Sequence, residues 1–451
     1  MSPATATATA TATAYGTPHA THFPVPHGAP GPRIARLAAR LAAASDPAEH
    51  TALTAGFWED VAREGTPLVE AVHGEPDHRA VTFLWRGHRA TRQVLLLAEG
   101  LTDRGRLDVS LLTRLPGTEI WYLTYRLRAD HRGSYRMVAD ISPGPPPGTE
   151  GRHRTRLRGL AAHAAPDPLN HLPLPGRRRS PAGSVFELPH APPQPWRDPR
   201  TGTPRGTVEH HRRPGAALGD RRTVRVYLPP PGTTNRPLDT LVLPDGGMWF
   251  GALGIEHTLD ALIADRMIPP LAVLAPDPAD EAAPWRDWAE PADWTGFLAD
   301  TLLPWAAQRW PLTADPRRTV VAGQGPGATA ALHACLRRPD RFGTALAQSP
   351  GWPAETAPPT VETAPSTAEN LPEALLPRPD RRSSRPTARG VRVHLEAGLH
   401  EGPSAARLVD ALHHALDERG VTVSRTDFNG AHDYACWRGG LADALVALLG
   451  G

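Results

Sequence analysis

The chain has 451 residues, 40% hydrophobic and 21% charged, a composition ordinary for a soluble globular protein and long enough for more than one packed core. Its net charge of +2 gives no electrostatic case for nucleic acid or a membrane surface, and no apolar run reaches the roughly 18 residues of a membrane span. Two cysteines, Cys335 and Cys436, exclude a disulfide framework, and no Cys/His grouping has zinc spacing, so neither metal nor other cofactor is expected. The chain has no lysine, which with its many Ala, Pro and Gly residues reads as GC-rich codon usage. The first residues lack a charged n-region and an apolar h-region, so a cytoplasmic protein is expected.

Residues 1–33 begin with alternating Ala and Thr and continue with Pro, Gly and His; they cannot bury a core and read as a disordered tail. Ile34 to Ala44 has helical spacing. Residues 34–141 are expected to hold a small β-sandwich, with strands over Val81–Arg86, Val94–Leu97 and Ile120–Tyr125, all rich in branched and aromatic residues. The Pro- and Arg-rich residues 142–204 read as an interdomain linker. Residues 205–451 alternate strand and helix patterns. The candidate strands are Val224–Leu228, Thr240–Leu243, Leu271–Leu274, Thr319–Ala322, Thr344–Gln348, Val391–Leu395 and Val421–Asp427. Helical stretches such as Trp294–Trp310 and Ala405–Leu416 lie between them. This is the pattern of an α/β domain, a mostly parallel sheet with helices on both faces. The Pro-, Thr- and Arg-rich residues 353–390 read as a mobile insert.

The most informative stretch runs from Thr319 to Ala328, Thr-Val-Val-Ala-Gly-Gln-Gly-Pro-Gly-Ala. A β-branched strand enters a Gly-rich turn and leaves in a small-residue helix. This is the layout of a Gly-x-Ser-x-Gly nucleophile elbow, with Gly325 where the serine belongs. Pro326 follows, and proline has no N–H to offer an oxyanion hole. A dinucleotide turn fits less well, because the motif comes after at least three strands and Pro326 removes an N–H that a pyrophosphate needs.

Three further stretches suit a hydrolase. His432, in Phe428-Asn429-Gly430-Ala431-His432-Asp433, follows the last strand, where a general base stands; it is also one of 21 histidines and fits an ordinary loop residue. Glu401 and Glu396 lie about thirty residues earlier, in the chain order nucleophile, acid, histidine. Glu401 is the first choice as acid and Glu396 the second, against a plain solvated strand end for either. Gly246-Gly247 follows a strand and can present backbone N–H groups to an oxyanion, or serve as a plain turn.

With these motifs the chain from Phe57 to Gly451 resembles the enterochelin esterases, α/β-hydrolases similar to esterase D. The matching residues include Gly65-Thr66-Pro67-Leu68-Val69-Glu70, Arg132-Gly133-Ser134-Tyr135, Asp167-Pro168-Leu169-Asn170, Glu187-Leu188-Pro189, Asp245-Gly246, Thr319 to Gln324, Glu396-Ala397-Gly398 and Gly430-Ala431-His432-Asp433 with Cys436-Trp437-Arg438-Gly439-Gly440. The resemblance implies a β-sandwich covering the site of an α/β-hydrolase domain. It implies Ser–His–acid hydrolysis of the trilactone of a ferric catecholate siderophore, with His432 as the histidine and Glu401 as the acid. The family serine is Gly325 here, and Ala289 stands where the family has a glutamate three residues after Arg286.

A ferric tris-catecholate is a bulky aromatic trianion. Arg286 with Trp249, Trp285, Trp288 and Trp352 suit it as substrate-binding residues, or pack as core. Three readings are open. The chain is an impaired homologue that binds a ferric catecholate siderophore or a related ester or peptide ligand. It is an active ester hydrolase with a relocated nucleophile, Ser349 being the nearest, or with water activated by His432. Or it is a non-catalytic interaction protein that kept the fold.

Overall fold

The computed structural model describes residues 24–142, 150–177, 181–215, 220–278, 291–351 and 390–450. The expected insert at 353–390, apart from Gly390, and most of the expected tail lie outside them. The last residues assigned to that tail do not behave as one. His27 N–H donates to Thr124 O at 2.7 Å and Gly31 N–H to Thr124 Oγ1 at 3.1 Å.

Helix α1, Pro32–Ala43, starts on proline and buries Ile34, Leu37 and Leu41, one stripe at helical spacing. Helix α2, Pro47–Glu64, lies within the residues expected to hold the sandwich and is not itself expected. Its start signal is nevertheless local: Asp46 accepts the Ala48 N–H at 2.9 Å, and Pro47 takes the first position. Phe57, Trp58 and Val61 of α2 pack with the α1 stripe against Leu84 and Ile120 of the sheet beneath.

That sheet has order β1-β2-β5-β4: Leu68–Val72, Glu75–Arg86, Ile120–Arg128 and Thr113–Arg114. A second sheet has order β3-β6-β8-β7: Gln93–Ala98, Arg132–Asp140, Gly183–Glu187 and Pro173–Leu174. The two share one core, in which Phe83 meets Tyr135 edge to face at 4.8 Å and Phe186 at 5.6 Å. The sandwich is as expected. The linker is not, because β7, β8 and helix α3 (Glu150–Ala161) all fall within 142–204, and β8 pairs antiparallel with β6. Three of the matching stretches meet here as structural ties. Thr66 Oγ1 and Tyr135 Oη donate to Asp167 Oδ2 at 2.6 and 2.8 Å, and Asn170 Nδ2 donates to Thr66 O at 2.6 Å.

The second half is built on an eight-stranded sheet of order β16-β15-β14-β13-β11-β12-β10-β9. The strands are β9 Thr207–Gly215, β10 Asp220–Leu228, β11 Asp239–Val242, β12 Leu271–Pro276, β13 Thr319–Gln324, β14 Thr344–Gln348, β15 Arg392–Gly398 and β16 Thr422–Phe428. β11 to β16 run parallel, and β10 and β9 are antiparallel at one edge. Counted within this half, β9 first, the order is 1-2-4-3-5-6-7-8, with one crossover between the third and fourth strands. Alternate strand residues feed opposite layers, Val321 one core and Val320 the other. The described helices are α4 Gly246–Trp249, α5 Ile255–Ala264, α6 Pro291–Gly296, α7 Leu303–Ala307, α8 Pro326–Arg337, α9 Pro403–Asp417 and α10 Tyr434–Leu449. Among the described residues no helix is long and apolar enough to cross a membrane.

Candidate active site

The topology brings the ends of β13, β15 and β16 together, and with them the elbow, the acid and the histidine. β13 passes into α8 through Gly325 alone, at φ 55° and ψ −124°. Side chains rarely adopt that backbone, which glycine takes without strain. A Cβ at Gly323 would strike the backbone of Gly327, so this turn also draws strand and helix into contact. A Cβ built at Gly325 would lie 2.7 Å from His432 Nε2 and 2.8 Å from Cε1. Position 325 therefore aims at the imidazole, as a nucleophile would, but carries no hydroxyl. Pro326 fills the first helical position, where it costs α8 nothing and leaves no N–H beside the elbow.

His432 stands between β16 and α10 and is 29% exposed, with Nδ1 4.0 Å from Glu401 Oε2. That distance is longer than a hydrogen bond. Glu401, 4% exposed, is held from behind. Its Oε1 accepts the Gly398 N–H at 2.7 Å and the Ser349 hydroxyl at 2.5 Å. Trp437 Nε1 in turn donates to Ser349 Oγ at 2.8 Å, and its ring meets His432 edge on at 4.6 Å. Ser349 takes a φ of 51° for this, unusual for a residue with a side chain. Both its bonds serve the acid side of the imidazole.

Glu396 faces elsewhere. It accepts from Gln348 Nε2 at 2.7 Å and lies 3.6 Å from His394 Nε2. In-register residues of β13, β14 and β15 form a buried line under the elbow. Trp249 Nε1 donates to Gln324 Oε1 at 3.2 Å, Gln324 Nε2 to Gln348 Oε1 at 2.8 Å, and Gln348 Nε2 to Glu396 Oε2.

Two expectations need correction. Trp249 is fully buried, packed against Tyr434 and bonded to Gln324, so it is core and not ligand surface. In the Gly246-Gly247 turn, one of the two N–H groups is already taken. Gly247 N–H donates to Asp277 Oδ1 at 2.5 Å, and Asp277 also pairs with Arg225. A Cβ at Gly246 would strike the Ala275 backbone, and with Gly247 engaged the Gly246 N–H remains the turn's candidate oxyanion donor. Arg286, Trp285, Trp288 and Trp352 lie outside the described residues. Sequence reasoning missed the bracing roles of Ser349 and Trp437; the quoted Cys436 to Gly440 motif was the available signal.

An eight-stranded, mostly parallel sheet with an elbow, an acid and a histidine at its strand ends defines an α/β-hydrolase. Comparison with known proteins gives the family. The model described as "Enterochelin esterase, N-terminal" matches residues 80–197, and an esterase model matches residues 215–448. The chain is 35% identical over 423 residues to the iron(III) salmochelin esterase of Escherichia coli O6:H1, covering 92% of this chain and 98% of that one. It is 33% identical over 431 residues to the iron(III) enterobactin esterase of Dickeya dadantii, covering 88% and 93%. The crystal structure of the ferric enterobactin esterase from Salmonella typhimurium superposes with a TM-score of 0.71 at 29% identity, covering 87% of this chain and 98% of that one. The Shigella flexneri enterobactin esterase, crystallised in the presence of enterobactin, gives 0.70 at 27%, covering 87% and 97%. The chain belongs to the enterochelin esterase family.

Proposed function

We propose that this chain binds a ferric catecholate siderophore or a related ester at the family's site, in the cytoplasm, and hydrolyses it feebly or not at all. The observation that carries this reading is Gly325: the position that points at His432 Nε2 has no side chain. The proline after it removes a second working part. Hydrolysis through an acyl intermediate needs a hydroxyl at 325, His432 to take its proton, Glu401 to orient the imidazole, and N–H donors for the oxyanion. The imidazole and the acid are present and braced; the hydroxyl and the donor are not.

A second reading, attack by water on the ester, draws support from the partly exposed His432, whose Nε2 faces the vacated position. A relocated nucleophile at Ser349 is disfavoured by its bonds to Glu401 and Trp437. Titration with ferric enterobactin, following tryptophan fluorescence and analysing products, separates the readings. Quenching without product supports binding; turnover supports the water route; neither leaves an interaction protein. Turnover at a rate typical of enzymes overturns the first reading.

A further inference from the structure

The loop that carries His432 is bonded on both flanks to the N-terminal sandwich. Before it, Arg132 N–H donates to Asn429 O at 3.0 Å, and Asn429 Nδ2 donates to Asp130 Oδ1 at 2.5 Å. After it, Cys436 Sγ donates to Arg132 O at 3.4 Å and Gln194 Nε2 to Ala435 O at 2.9 Å. Gly430 makes the approach possible, because a Cβ there would lie 2.8 Å from Arg132 O and 2.5 Å from Cys436 Sγ.

Asp433, the residue after His432, joins the two sides. Its Oδ1 accepts the Ala435 N–H at 2.9 Å and caps α10. Its Oδ2 accepts the Ser134 N–H on β6 at 2.6 Å, across 299 residues of sequence. A helix cap needs one oxygen, and Ser or Asn supplies it without a charge to bury. The second oxygen, on a carboxylate only 4% exposed, is explained by the link to β6 and not by the cap.

We infer that Asp433 is a positioning residue for His432. By tying the start of α10 to β6 it fixes the backbone from which the imidazole reaches toward position 325, and makes that aim depend on the N-terminal sandwich. The inference rests on His432 as the imidazole of the family's ester site, and not on whether this chain turns an ester over.

The test uses full-length protein with labelled histidine. The His432 ring resonance is assigned by its loss in His432→Gln. Asp433→Ser keeps a helix cap but is too short to reach β6. Asp433→Asn keeps the size but has one acceptor oxygen for two N–H groups. Ser134→Ala keeps the backbone N–H and is the control. The expected result is a shifted, broadened His432 resonance in both Asp433 variants, a wild-type one in Ser134→Ala, and an unchanged resonance for His211, on β9 at the sheet edge opposite β16. An unmoved His432 resonance in a folded Asp433 variant overturns the inference and leaves a cap alone. Should Asp433→Ser not fold, Asp433→Asn decides. In a Gly325→Ser/Pro326→Leu background, Asp433→Asn should lower kcat more than it changes KM. An inactive background would strike at the proposed function and leave the resonance result standing.

Discussion

At the residue scale, Gly325 has a backbone that a serine would strain and a neighbour that a serine would displace. Gly325→Ser should lower stability by about 1–3 kcal/mol, read by urea unfolding. The new Cβ would press on the Nε2–Cε1 edge of His432, so the ring should shift or turn away from position 325. A displaced His432 ring resonance in the variant would report this; an unmoved one in a folded variant would contradict the geometry. Restoring the hydroxyl alone should still give a poor esterase. Loss of one oxyanion donor typically costs about 10²–10³ in turnover, and Pro326 also restricts the backbone of residue 325. Gly325→Ser/Pro326→Leu should therefore hydrolyse ferric enterobactin clearly faster than Gly325→Ser, and His432→Ala should abolish the gain. Equal rates for the single and double variants would refute the role given to Pro326. The elbow and its missing parts were legible in sequence because they are contiguous. The bonds of Ser349 were not, since its partners Glu401 and Trp437 lie 52 and 88 residues away.

At the scale of elements, periodicity found the parallel strands and failed where a signal was short or contradicted its surroundings. β8 sits in a Pro- and Arg-rich run that reads as linker, and its pairing with β6 and β7 makes it a strand. Helix α2 has a mixed face, and the aromatic residues Phe57 and Trp58 near its end, which suit a strand as well, cover the first sheet. Helix α8 supplies a pH prediction. His333 on α8 lies with Nδ1 2.8 Å from Thr295 Oγ1, and burial, with Arg337 nearby, pulls its imidazole down to about 4. Below its ordinary value of about 6.5 the unfolded chain takes up a proton that the folded chain refuses. The stability involved is whole above that pH and is lost as pH falls toward 4. His333→Asn should flatten the acid limb of the stability curve, so that the loss between pH 7 and 4 shrinks by on the order of 3 kcal/mol. Parallel acid limbs for the two proteins, from urea midpoints against pH, would count against this.

At the scale of the whole molecule, the motifs shared with the family gather at the seam between sandwich and hydrolase. Arg132 to Tyr135 and Cys436 to Gly440 are separate short matches in sequence, and nothing in either stretch says that they touch. A double-mutant cycle on Asp130→Ala and Asn429→Ala should show coupling on the order of 1 kcal/mol in unfolding free energy. Additive losses would mean that the contact is incidental. The buried line beneath the elbow bears on how such a protein comes to exist. Tryptophan can only donate, so Trp249 fixes the sense of both amides, and Glu396 ends the line as acceptor. The line is complete without any group from position 325. Its strands stay locked whether or not a hydroxyl stands above them, so chemistry could be erased here by a single codon while the architecture built to support it went on being inherited intact.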